Sequence, residues 1–256
     1  MLQAHSFLWH YLWVAPNLLL VALALTMWRR GLHRHFPAFV AFALLAAAEQ
    51  LTVYTADVLP FVSDVRWWRI LWGGLLLEAV LKTVLIAEIF SQISGSYPTI
   101  AKLGKSLIRG VGVVLVFVAV SAAAYAQRDN YNWLISGAHL LEQAIYLVES
   151  GLLLFIFVFV GYFHLAWGRR LFGIAIGLSI SACVHLGTWA VMANGALLDK
   201  RHLLDFLNMA TYHVCVLIWS YYLLFAPDKR PMTSVLRLPE HNLEALNHEL
   251  ERLLQR

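Results

Sequence analysis

Residues 138–163 read AHLLEQAIYLVESGLLLFIFVFVGYF. A helix needs about 20 mostly apolar residues to cross the hydrocarbon core, and this run is long enough. It is continuous rather than alternating, so it does not describe a strand of a membrane barrel. Two acids interrupt it, Glu142 and Glu149. With Tyr146 they recur at spacings of four and three, which places all three on one face of a helix. A membrane helix with a polar stripe is the unit from which the rest of the chain is read.

Six further windows have the same character, at 7–28, 36–59, 67–93, 107–126, 171–193 and 203–225. Lipid cannot satisfy backbone N–H and C=O groups, so such windows cross as helices. Composition agrees. The 256 residues are 61% hydrophobic and 13% charged, about half the ~25% charge of soluble domains. Mean hydropathy is +0.68. A soluble globular domain, a disordered chain and a nucleic-acid binder are excluded, despite the net charge of +4. Two cysteines make no disulfide framework. The first window has no Lys or Arg before it and no small-residue cleavage site after it, so it is read as a retained helix.

Short-loop Lys and Arg set orientation. One set of connections holds Arg29, Arg30, Arg34, Lys102, Lys105, Arg109, Arg169, Arg170, Lys229, Arg230 and Arg237. The other holds Arg66, Arg69, Arg128, Lys200 and Arg201, beside Asp57, Asp64, Asp129, Asp199 and Asp205. The richer set belongs in the cytoplasm. The expected fold is therefore all-α: a polytopic protein with seven transmembrane helices, N-terminus outside and C-terminus cytoplasmic. Trp9, Tyr11, Trp13, Trp67, Trp68, Trp72, Tyr131, Trp133, Trp28 and Trp167 read as interface anchors.

Three parts follow: a bundle over 1–226, a basic linker over 227–238, and a cytoplasmic amphipathic helix over 239–256. Pro239 suits a first helical turn. Leu243, Leu246, Leu250 and Leu253 lie on one face, the expected surface for docking a cytoplasmic protein, another membrane subunit or a second copy, or for lying on the inner leaflet.

Ionisable residues within spans cost about 2.5–3.5 kcal/mol each on insertion scales, so they mark function or pairing. At about 1.5 Å per residue, Asn17, Glu49, Glu78, Glu149, His185 and His213 fall at similar depth, some 12–16 Å from the outer face. The fourth window contributes none and reads as peripheral. Lys82 lies one turn from Glu78 and can pair with it. Glu88 reads as a helix-end residue reaching the inner interface. The expected ligand or proton-relay residues are Asn17, Glu49, Glu78, Lys82, Tyr146, Glu149, His185 and His213; the alternative is a hydrogen-bonded layer that only fixes helix packing.

Cofactor signals are weak. His185 and His213 could ligate a b-type haem from consecutive helices. Glu49, Glu78 and Glu149 with a histidine could hold a metal ion. Cys183 and Cys215 do not complete a zinc site, because residues two apart on a helix point away from each other. The Glu-x-x-His pairs of di-iron bundles are absent. The stretch 99–106, Thr-Ile-Ala-Lys-Leu-Gly-Lys-Ser, mimics a phosphate loop without its first glycine or preceding strand.

Three family patterns bear on the chain. Seven helices with an outside N-terminus are similar to rhodopsins, but 203–225 holds no lysine for a Schiff base. Trp28-Arg29-Arg30-Gly31-Leu32 is echoed by Trp167-Gly168-Arg169-Arg170-Leu171, which resembles transporters with parallel triple-helix repeats; no proline is followed by the Gln of that family. Arg29-Arg30-Gly31-Leu32-His33-Arg34-His35-Phe36-Pro37, with Glu88-Ile89-Phe90 and Tyr97-Pro98, resembles bacterial seven-helix integral membrane proteins. That resemblance implies the inner membrane and no activity.

The leading functional expectation is a non-enzymatic sensor, or a subunit of a membrane complex, with a buried polar site. A small-solute transporter and a haem electron-transfer protein are the alternatives. No acid/base or nucleophile arrangement is specific enough to name a reaction.

Overall fold

A computed structural model of the chain describes residues 6–58, 63–94, 131–162, 168–193 and 201–225, with single positions 106, 110, 113, 114 and 117. Most of the fourth window, the linker and the leucine-striped segment (with Leu243, Leu246, Leu250 and Leu253) lie outside the described residues.

Six helices are present among them: α1 (Phe7–Arg29), α2 (Pro37–Val58), α3 (Asp64–Ser94), α4 (Tyr131–Tyr162), α5 (Arg169–Ala193) and α6 (Arg201–Ser220). All six are long and apolar enough to cross a membrane. The described residues are entirely helical apart from turns, and α6 ends in a widened, π-helical turn at Tyr221–Phe225. The described residues are therefore α-helical, with six membrane-compatible spans among them.

Their ends follow local chemistry. Ser6 caps α1 by accepting the Trp9 amide at 3.3 Å, as an N-cap serine does. Gly31, at φ 71°, closes the same helix in the left-handed conformation that glycine adopts without a Cβ clash. Pro37 opens α2, where its missing N–H is no loss. The next free amide, Ala38, donates to Glu88 of α3 at 2.8 Å, so the α2 N-terminus is capped by a neighbouring helix. Gln92 completes the joint by donating to the His35 carbonyl at 2.7 Å. Within the spans, Thr26, Thr52, Thr83, Ser94, Ser179 and Ser220 donate to the carbonyl four residues back. Those bonds hide hydroxyls that lipid could not satisfy.

The helices pack as a closed ring. Each touches the next, from α1 through α6, and α6 returns to α1. Side chains such as Leu147, Leu154 and Val158 stay exposed on the outside of the ring, which suits lipid contact. Inside, the two halves differ. The half that holds the end of α1 and the start of α2 is filled by Met27, Phe39, Ile86, Ile89, Ile156, Ile174 and Trp219, all buried. Trp219 is held there by its N–H on the Ile174 carbonyl at 3.2 Å and by edge contacts to Phe39 and Phe42. The other half encloses a cavity. Both α3 and α4 run from the cavity half into the packed half, so these neighbours are parallel. The start of α1 and the end of α6 lie at opposite ends of the ring.

Candidate functional site

The cavity is half-enclosed and about 440 Å³ in volume, within the ~300–1,000 Å³ of small-molecule sites. All six helices line it. Five of the residues expected from sequence meet on its wall: Asn17, Glu78, Lys82, Tyr146 and His185. Trp219 and Phe42 form its floor, where the packed half begins.

Lys82 is the centre of the polar wall. It is only 5% exposed. Its Nζ lies 3.0 Å from Glu78 Oε1 and 3.0 Å from Glu149 Oε2, and 4.6 Å from the centre of the Tyr146 ring. Burying one ammonium is tolerable because two carboxylates and a ring face share it. Glu149 stands behind the lysine, outside the cavity lining, with Oε1 buried and without a hydrogen-bond partner. Tyr146 also stacks on His185, ring centres 4.3 Å apart. The His185 Nδ1 is 2.9 Å from the Ser181 carbonyl. A carbonyl only accepts, so Nδ1 carries the proton in the neutral ring.

Asn17 follows Pro16, whose ring removes an amide donor from α1. The Asn17 amide donates to the Trp13 carbonyl at 2.6 Å, and its oxygen accepts the Tyr212 hydroxyl at 3.0 Å. That bond ties α1 to α6. Across the ring, the Thr188 hydroxyl lies 3.2 Å from Asn208 Oδ1 and links α5 to α6.

Two expected residues stand elsewhere. Glu49 lies in the seam between α2 and α3, with its carboxyl packed where a side chain on Gly74 would go. Gln50 donates to its Oε2 at 3.0 Å, and its Oε1 is buried without a partner. His213 packs against Tyr11, ring centres 5.8 Å apart, and is not on the cavity wall. The haem expectation needs His185 and His213 to face one slot; the two rings as placed do not fit that group. The carboxylate metal expectation meets a different obstacle. Lys82 already occupies the space between Glu78 and Glu149, and no group of three metal-ligating side chains is assembled among the described residues.

The structure also corrects the reading of several aromatics. Trp9, Trp13 and Trp67 line the cavity rather than serving only as interface anchors. The indole nitrogens of Trp13 and Trp67 are buried without partners. Helical spacing held the signal: Trp9, Trp13 and Asn17 lie at steps of four, as do Trp67, Leu71, Glu78 and Lys82 at steps of four or seven. Glu142 and Asp205, absent from the expected site, line it as well.

No family model, curated protein or solved structure matches this chain.

Proposed function

We propose that this chain is a non-enzymatic, receptor-like protein of the bacterial inner membrane, or the sensing subunit of a membrane complex, which binds a small solute in the cavity. The observation that carries the reading is the cavity itself: a half-enclosed polar pocket lined by all six described helices, with Trp219 and Phe42 of the packed half as its floor. Such a shape suits binding from one side of the membrane without passage through it.

The finer topology belongs to the same proposal. Because α3 and α4 run in the same direction, the chain between them has to return across the thickness of the ring, which supports seven spans rather than six. Arg29, Arg30, Arg34, Arg169 and Arg170 cluster at the packed end. By the positive-inside rule that end faces the cytoplasm and the cavity faces out. A route for the signal also exists. Arg30, at the end of α1, donates to the Leu224 carbonyl at 3.0 Å, in the widened turn that immediately precedes residues 226–256. Both α1 and α6 line the cavity, so occupancy there acts on the joint that carries the tail.

The test uses purified full-length protein in nanodiscs, screened for thermal stabilisation by a panel of small metabolites. A ligand should stabilise the protein, and His185→Leu or Asn208→Leu should abolish the effect. A fluorophore on Ser234→Cys in a Cys183→Ser background should respond to the same ligand. Removal of 239–256 should leave the bundle and its ligand binding intact. Proteoliposomes separate the alternative. The open cavity beside a buried ion triad also suits a transporter, which would accumulate the ligand beyond one molecule per chain; a receptor would not.

A further inference from the structure

Among the described residues, the one ammonium on the cavity wall is outnumbered by the carboxylates in contact with it. Lys82 faces two carboxylates, Glu78 and Glu149, each at 3.0 Å. One ammonium therefore serves the two acids that touch it at the junction of α3 and α4, and the Glu49 carboxyl lies apart from them against Gly74 in the α2–α3 seam. Uncompensated negative charge in a low-dielectric wall attracts a cation strongly.

The remaining walls suit such a guest. Trp9, Trp13, Trp67 and Tyr212 present aromatic rings to the same space. Aromatic faces attract cations, and the Lys82 ammonium already rests over Tyr146 in this manner. An anion is disfavoured, because the lysine that would receive it is held by two carboxylates. A bare metal ion leaves the apolar part of the aromatic wall unfilled, and a neutral solute leaves the carboxylates unmatched.

We propose that the cavity takes a small organic cation of the protonated-amine class, with its charged group toward Glu78 and its apolar part among the tryptophans. This rests on the reading of the cavity as a ligand site and names the class of ligand.

The experiment follows tryptophan fluorescence of the full-length protein in nanodiscs of zwitterionic lipid. Benzylammonium, benzyl alcohol and benzoate are titrated as cation, neutral isostere and anion, with sodium and potassium chloride as inorganic controls. Benzylammonium should give a saturable change, at least about tenfold tighter than the other two organics. Glu78→Gln should weaken it by about tenfold or more. That variant keeps the one-to-one Lys82–Glu149 pair, so loss of binding is not loss of fold; Glu49→Gln, in the seam off the cavity wall, should leave the affinity within about twofold. Equal binding of benzyl alcohol, preference for benzoate, full displacement by sodium, or unchanged affinity in Glu78→Gln would each overturn the amine assignment. In the first three cases the ligand-site reading survives; in the fourth the metabolite panel decides it separately. Absence of any response to benzylammonium also overturns the amine class, and the metabolite panel then decides the site reading separately.

Discussion

The packed half of the ring and the cavity half are built from the same six helices by different means. In the packed half, close fit does the work. Glycine lets Trp219 and Tyr222 lie against α5: a Cβ on Gly177 would overlap the Trp219 indole, and one on Gly173 would overlap the Tyr222 side chain. In the cavity half the helices are held apart and joined by polar links, Tyr212 to Asn17, Thr188 to Asn208, and Lys82 to two acids. Lipid tails are as apolar as a leucine core, so packing and hydrogen bonds rather than hydrophobic burial hold such a bundle together. A half that keeps its shape by a few directed bonds can answer to a ligand. A half that interdigitates cannot yield without losing many contacts at once.

Four measurements would break or sharpen that contrast, all by thermal unfolding of the purified protein. The largest loss should come from Lys82→Met. It leaves Glu149, 3% exposed, beside a second acid with no cation, a change that costs about 3–5 kcal/mol in buried pairs. Adding Glu149→Gln should recover most of it; no recovery would mean that the lysine is held by something other than charge. Next, Gly177→Ala should lose about 1–3 kcal/mol through overpacking. Gly151→Ala, where a Cβ meets nothing, should be neutral or slightly stabilising, since alanine favours helix by about 1 kcal/mol. Equal effects at the two glycines would contradict a close-packed floor. Glu88→Ala should lose about 1 kcal/mol by uncapping α2. Tyr212→Phe should lose least, about 0.6 kcal/mol, while loosening the α1–α6 joint enough to raise amide exchange near Asn17. A loss larger than that of Gly177→Ala would reverse the assigned roles of the two halves.

Glu88 shows where reading from sequence stops. Its place near a helix end is legible from the length of its window. That it caps α2 is not, because Ala38 and Glu88 meet only when α2 and α3 pack. Lys82 is similar. Its pairing with Glu78 follows from a spacing of four, whereas Glu149 arrives from a different helix. The tryptophans mislead for a reason: an indole near a span end suits an interface and a cavity mouth equally, and only the ring arrangement turns Trp13 and Trp67 inward. His213 shares its depth with His185, but a step of one residue from Tyr212 rotates it by about 100°, off the cavity wall.

Apolar run length alone determined that this chain is helical with runs long enough to cross a membrane, and placed its six described helices to within a few residues except at Tyr131, where α4 starts seven residues before its apolar window, because a helix in lipid must satisfy its backbone within itself. Tertiary structure decided which helices are neighbours, that the ring closes, and that one ammonium serves acids from separate spans. Those contacts depend on interhelical packing, which leaves no period in the sequence of any single helix.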